Sequence, residues 1–203
     1  MSNCCCPNHE SRDCWCPRNE SRDCCWCPQR EQEEFRSLVF NAGSMNNGAQ
    51  TIPNTVPIGN ANSNIRILGW LIPQNNTTEF SLTFNVPRDA RNEWQRAKVF
   101  VHLLTDNSNT PVGNTFAIRL SSLFARANGV VSASNIIVNN SGNIPIQNSP
   151  GNFQYNHYVL EFDLNDIIRA EDFALLSVSR IPVNNDFAGQ LLLTSIEFRY
   201  LSR

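Results

Sequence analysis

Lysine is almost missing from this 203-residue chain: Lys98 is the single one among 16 basic residues, and charge of either sign is sparse at 17%. Asn, Ser and Thr stand in for charge, which makes the expected surface neutral and polar. Residues 1–34 carry four Arg against seven Asp or Glu, leaving the rest at +1 of a net −2. Neither part offers the concentrated basic face that phosphate neutralisation requires, so no nucleic-acid partner is expected. Using Arg for nearly every cation retains ion pairing and removes nearly all reactive amines, with compositional drift as the favoured reading.

Long apolar runs are missing too. A membrane-crossing helix needs about 18 residues of that kind, so no membrane partner is expected. The opening Met1-Ser2-Asn3-Cys4-Cys5-Cys6 has neither the charged nor the apolar region of an export signal. Histidine is confined to His9, His102 and His157, and no G-x-S-x-G, phosphate-cradling glycine loop or H-E-x-x-H is present. His102 falls inside the apolar run Val99–Leu104 and reads as a packed or edge residue. Glu161 and Asp163 alternate on one face, as paired acid and base would, but solvent-facing strand positions account for them equally. The expectation is a chain that is not an enzyme and takes no cofactor.

Cysteine is missing from residue 28 onward. All eight, Cys4, Cys5, Cys6, Cys14, Cys16, Cys24, Cys25 and Cys27, lie in a short N-terminal arm. That arm is a repeat: Cys6-Pro7-Asn8-His9-Glu10-Ser11-Arg12-Asp13 returns as Cys16-Pro17-Arg18-Asn19-Glu20-Ser21-Arg22-Asp23 and again as Cys27-Pro28-Gln29-Arg30-Glu31. The unit contains no aliphatic residue, its prolines interrupt regular structure, and Trp15 and Trp26 are its only large apolar groups, so it is expected to be a disordered connector. About thirty residues at ~3.3 Å each reach on the order of 100 Å when extended, far enough to touch a neighbouring molecule.

Two chemistries suit such an arm. Thiolates in C-x-C and C-C-x-C clusters with His9 nearby bind Zn²⁺ or Cu⁺, although structural zinc sites prefer C-x₂-C pairs. Adjacent cysteines bond poorly to each other and so present thiols to other chains, and repeated copies raise the effective concentration of each next thiol. Intermolecular disulfides are the leading expectation for these cysteines, with no metal site assigned.

After Glu34 the texture changes to short apolar runs between Asn, Gly and Pro clusters, the signal for regularly spaced strands. Residues 35–64 read as a short strand, Ser37–Phe40, and an Asn/Gly-rich linker. Residues 65–203 read as an antiparallel β-sandwich of jelly-roll type. Its strands are expected at Ile65–Ile72, Thr78–Val86, Ala97–Leu104, Thr115–Arg119, Val130–Val138, Tyr155–Phe162, Phe173–Ser179 and Gln190–Leu201. Short helices are expected over Arg88–Arg96, Ser121–Ala127 and Asp163–Arg169. Tyr155, His157 and Tyr158 form the one aromatic cluster suited to stacking on a sugar, with ordinary core packing as the alternative. Asn75 and Asn76 fit glycosylation sequons. Lys98 admits an isopeptide bond or a solvated edge charge.

The run Ala170-Glu171-Asp172-Phe173 to Arg180, then Asp186-Phe187-Ala188-Gly189 and Leu191 to Tyr200, resembles the last two strands of trimeric jelly-roll domains that end phage tail fibres. That resemblance implies a homotrimer with final strands near the threefold axis. The arm resembles the N-terminal connectors of Bacillus endospore appendage subunits, which bond to a neighbouring subunit. It departs from them because their shaft subunits also carry acceptor cysteines in the jelly roll, whereas residues 28–203 have none. Together the resemblances imply a self-assembling structural protein of the spore surface (exosporium, coat or appendage), made in the mother cell and disulfide-linked to its neighbours. A receptor- or glycan-binding tip and a thiolate metal-binding protein are the alternatives.

Overall fold

A computed structural model describes residues 34–46, 53–74, 78–91, 97–106, 114–147, 154–164 and 166–202. Cys4 to Cys27 and His9 lie outside them, as do Asn75 and Asn76. The described residues form eleven strands, two single 3-10 turns and no α-helix: β1 (Phe35–Asn41), β2 (Asn54–Pro57), β3 (Arg66–Ile72), β4 (Phe80–Asn85), β5 (Lys98–Asp106), β6 (Thr115–Ala125), β7 (Ile137–Asn140), β8 (Ile144–Pro145), β9 (Tyr155–Asp163), β10 (Phe173–Ile181) and β11 (Leu191–Leu201).

The larger sheet runs β2-β3-β11-β5-β9 and the smaller β4-β10-β6-β7. Take β3, β4, β5, β6, β7, β9, β10 and β11 in chain order. The first pairs antiparallel with the eighth, the second with the seventh, the third with the sixth and the fourth with the fifth. Successive pairs fall in alternate sheets, which is the topology of a jelly roll. β1 adds to β11 over seven residues and β8 adds to β6. Residues 34–203 thus make one compact unit in which the stretch read as strand and linker contributes β1 and β2.

Alternation decides what each strand buries. On β5, Val99, Val101 and Leu103 are fully buried, and on β11 so are Leu191, Leu193, Ile196 and Phe198. Together with Trp70, Phe80, Phe116, Leu176 and Phe187 they fill the space between the sheets. Between Leu193 and Ser195 the register of β11 shifts by one residue, a bulge at Thr194 that returns the inward face to Ile196.

Leu104 and Leu192 point away from that core yet are only 9% and 3% exposed. The ribbon of β2 with the first half of β3 comes against Leu192. Arg66 to Gly69 pair with β2, whereas Trp70 to Ile72 pair with β11, so β3 changes partner at Gly69. A Cβ on Gly69 would stand 2.5 Å from the Leu192 side chain and 2.9 Å from the Leu193 carbonyl oxygen, so only glycine lets the backbones approach this closely. The ribbon reaches the far edge of the sheet, where the Tyr155 hydroxyl on β9 donates to the Pro57 carbonyl at 3.1 Å.

Between β10 and β11 the chain is held by a buried ion pair. The Arg180 side chain is 1% exposed and donates to the Asp186 carboxylate at 2.8 Å, to the Gly189 carbonyl at 2.9 Å and to the Phe187 carbonyl. Phe187 is buried beneath that guanidinium, and its ring lies so close to Gly189 that a Cβ there would meet it at 2.2 Å.

Three local expectations are corrected. Ser121–Ala127 is not a helix, because β6 continues to Ala125 with Ser121 to Ala125 paired to Phe173 to Ser177 of β10. Asp163–Arg169 is not a helix, since Asp163 ends β9 and its described successors up to Arg169 are irregular apart from a bend at Asp166 and a bridge at Ile167. Of Val130–Val138 only Ile137 onward is strand, because β6 offers backbone partners only to Ile137–Asn140. Arg88–Arg91 are non-helical, with Ala90 bridged to Ser202, and residues 92–96 lie outside the described residues.

Removing one partner of a buried ion pair strands the other without compensation. Arg180→Ala is expected to lower stability by about 3–5 kcal/mol in urea unfolding monitored by tryptophan fluorescence. Removing Asp186 as well is expected to recover part of that loss.

Candidate functional site

The strand alternation that builds the core also divides the aromatic cluster of β9. Tyr158 points inward, 7% exposed, with its ring edge-on to Phe116 at 5.2 Å and its hydroxyl accepting from the Gln147 amide at 2.8 Å. His157 points outward and is exposed. Tyr155 is half-buried, its hydroxyl held by Pro57. The structure therefore does not join the three into a stacking platform: Tyr158 is core, and His157 belongs to the outer face of the larger sheet.

That outer face is the candidate site. Ser37 from β1, Glu197 and Arg199 from β11, Lys98, Phe100 and His102 from β5, and His157, Val159, Glu161 and Asp163 from β9 all project from it. Their side chains interlock across strands. The Ser37 hydroxyl donates to Glu197 at 2.6 Å, Arg199 donates to the same carboxylate at 2.8 Å, and the Arg199 guanidinium lies 4.3 Å from the Phe100 ring centre. Lys98 pairs with Glu161 and lies 3.3 Å from Asp163. Lys98 is thus an ion-paired surface charge, and the two carboxylates bracket it rather than facing one another across a substrate gap.

At the ribbon end of the face, His102 Nδ1 and His157 Nε2 are 3.2 Å apart in rings inclined by 16°. Glu197 faces the other nitrogen of His102 at 3.8 Å. Burial holds the His102 imidazole below its usual pKa, His157 pushes the same way, and Glu197 opposes both. Glu197 is itself held below the ordinary carboxylate range, chiefly by the Ser37 hydroxyl and further by Arg199 and His102. Lys98 is raised by Glu161 first and then by Asp163.

Chemically the face is a shallow shelf of alternating donors and acceptors, walled at one end by the β2–β3 ribbon. Among the described residues no three His, Cys, Asp or Glu side chains converge on one point as a full metal cage. Sequence reasoning missed Ser37, Glu197 and Arg199. Period-two alternation along Ser195 to Tyr200 was the available signal for their outward direction, and nothing in the sequence places them beside β9.

The split predicts a contrast between neighbours. Tyr158→Ala is expected to cost about 3–5 kcal/mol, the range for emptying a buried aromatic position, while His157→Ala is expected to stay within about 0.5 kcal/mol of the parent. Denaturant midpoints of the two variants check both values.

No protein-family model matches the chain, and no curated protein matches it. Solved structures do. Dimeric latent PorU from Porphyromonas gingivalis matches with TM-score 0.40 and 10% identity, over 84% of this chain and 13% of its own length. A family 35 carbohydrate-binding module from Clostridium thermocellum matches with TM-score 0.40 and 13% identity, over 80% of this chain and 97% of its own. An enzymatically active domain of bacteriophage CBA120 tailspike protein 4 matches with TM-score 0.29 and 15% identity, over 82% of this chain and 19% of its own. The jelly-roll assignment stands on the strand pairing of this chain itself.

Proposed function

We propose that this protein is a non-catalytic display module: the jelly roll presents a ligand-binding face to a glycan, and the cysteine arm attaches the module to its neighbours. The observation that carries the reading is the outer face of the larger sheet, where side-chain donors and acceptors from four strands are set flat beside one another. Small molecules need concave enclosure, whereas an extended oligosaccharide can lie along a shelf and exchange hydroxyl hydrogen bonds with carboxylates, imidazoles and guanidinium together. Glu197 is fixed before any ligand arrives, because it is already held by Ser37 and Arg199, so little of its side-chain entropy remains to be lost.

Attachment follows from the distribution of thiols. All eight cysteines lie at or before Cys27, and the chain enters the sandwich at Glu34, whose carbonyl accepts from the Ser202 amide at 2.8 Å and its hydroxyl at 2.9 Å. A body without thiols can be carried by disulfides but cannot accept one.

A second reading is favoured by a different observation. Val130, Val131, Ile136 and Val138 are 77%, 58%, 39% and 51% exposed around the β7 edge of the smaller sheet. Exposed aliphatic groups next to a strand edge that has no partner among the described residues suit association between copies. In that reading the protein is a self-assembling structural subunit, a homotrimer of a spore coat, exosporium or appendage, and the arm cross-links the assembly.

A glycan array probed with the full chain, its thiols blocked with iodoacetamide, is expected to show carbohydrate binding that weakens at least tenfold in Glu197→Gln and in His157→Ala. Retained binding in both variants, or no glycan bound at all, sinks the first reading. For the second, sedimentation of the same thiol-blocked chain is expected to give a trimer that dissociates in Val131→Asp/Val138→Asp. A monomer at all concentrations contradicts it.

A further inference from the structure

His102 and His157 do more on this face than offer two more hydrogen-bonding groups. We propose that they form a surface site for a divalent cation of the zinc class, with Glu197 behind His102 as the carboxylate that fixes its tautomer. This inference does not rest on glycan binding, since the cation alone is its ligand.

The geometry comes first. His102 Nδ1 and His157 Nε2 stand 3.2 Å apart. Two zinc–nitrogen bonds of about 2.05 Å spanning that gap meet at roughly 100°, close to the tetrahedral angle. Glu197 faces His102 Nε2 at 3.8 Å; in the proposed site the ring proton lies on that side, toward the carboxylate, and the lone pair on Nδ1 faces the metal. A histidine backed by a carboxylate and turned toward a metal is the usual arrangement around zinc. Its anchoring matches, because Ser37 and Arg199 hold the Glu197 carboxylate in place.

Charge also favours a cation. The outer face carries Lys98 and Arg199 against Glu161, Asp163 and Glu197, and both cationic side chains already contact carboxylates. With neutral imidazoles the face is one unit negative. In the empty state one ring donates an N–H to the other. When the cation enters, His157 passes its proton from Nε2 to Nδ1 through solvent and turns its lone pair onto the metal, with no net loss of protons. The exposed His157 ring has the freedom for that swing, and the half-buried His102 supplies the fixed side.

Two protein ligands leave two coordination positions to water. Such positions accept oxygen atoms of an incoming partner, so the site lies where a ligand of the shelf would meet it.

The test uses the full chain with all thiols carbamidomethylated, which removes the arm's cysteine ligands. Zinc chloride is titrated at pH 7.5 while the imidazole proton resonances are followed by NMR; three histidines keep assignment simple. The expected result is saturable shifts of His102 and His157 at about one zinc per chain, unaffected by His9→Ala. His157→Ala and His102→Ala are each expected to weaken binding at least tenfold, and Glu197→Gln about tenfold. His157→Ala keeps the experiment decisive should His102→Ala fold poorly. Zinc uptake that persists undiminished in His157→Ala, or no shift of either resonance up to millimolar zinc, overturns the proposal.

Discussion

The guanidinium of Arg180 governs the hand-over from β10 to β11, and the larger sheet is assembled on β11. A buried charge needs partners for its donors, and here the two terminal nitrogens meet the Asp186 carboxylate and the carbonyls of Phe187 and Gly189, while Nε has no partner among the described residues. Those acceptors fix the path of the turn. Asp186 also bridges to Thr115, and the Phe187 amide donates to the Thr115 carbonyl at 2.7 Å, so the same turn locks the start of β6. Leu191 then begins β11 already aligned between β3 and β5. From there one strand pairs with three others: β5 along one side, and β3 and then β1 along the other. The acidic residue, the aromatic and the glycine of the turn each have a separate physical reason, namely charge, burial and room.

The outer face inherits its order from that strand. The bulge at Thr194 returns Ile196, Phe198 and Tyr200 to the core and so sends Glu197 and Arg199 outward together. Glu197 then links β1 through Ser37 and β5 through His102, while Arg199 lies over Phe100. A register slip of one residue on β11 would bury the carboxylate and expose Phe198. Core packing and the site are therefore two faces of a single alternation, and selection on either constrains the other.

Much of this was legible in the sequence, and the failures have physical causes. Glu79 to Val86 announces a strand because one of its faces is wet. Ser121 to Ala125 does not, because the outward residues Leu123 and Ala125 are themselves only 2% and 7% exposed, which erases the alternation that marks a half-buried strand. Val130 to Val138 misleads in the opposite sense: its residues suit a strand, but among the described residues no partner backbone lies beside Val130 to Ile136 for β-propensity to act on. Tyr155, His157 and Tyr158 are neighbours in sequence, and period two sends Tyr158 into the core while His157 faces solvent. His102, His157 and Glu197 are far apart in sequence, and only the register of β5 against both β9 and β11 brings them together. Pairing register over such separations leaves no local trace.

The contrast between arm and body then acquires a chemical meaning. A thiol placed on the outer face would outcompete imidazole for a borderline metal, and a thiol in the body would offer the arms of other copies a second bonding point. Excluding cysteine from residues 28–203 keeps the face an imidazole and carboxylate surface under oxidising and reducing conditions alike. The sandwich begins at the Ser202–Glu34 hydrogen bonds and the seven-residue ladder between β1 and β11. That ladder carries the Ser37 contact to Glu197. One strand therefore joins the first backbone pairing of the sandwich to the carboxylate on which the ordering of the outer face depends.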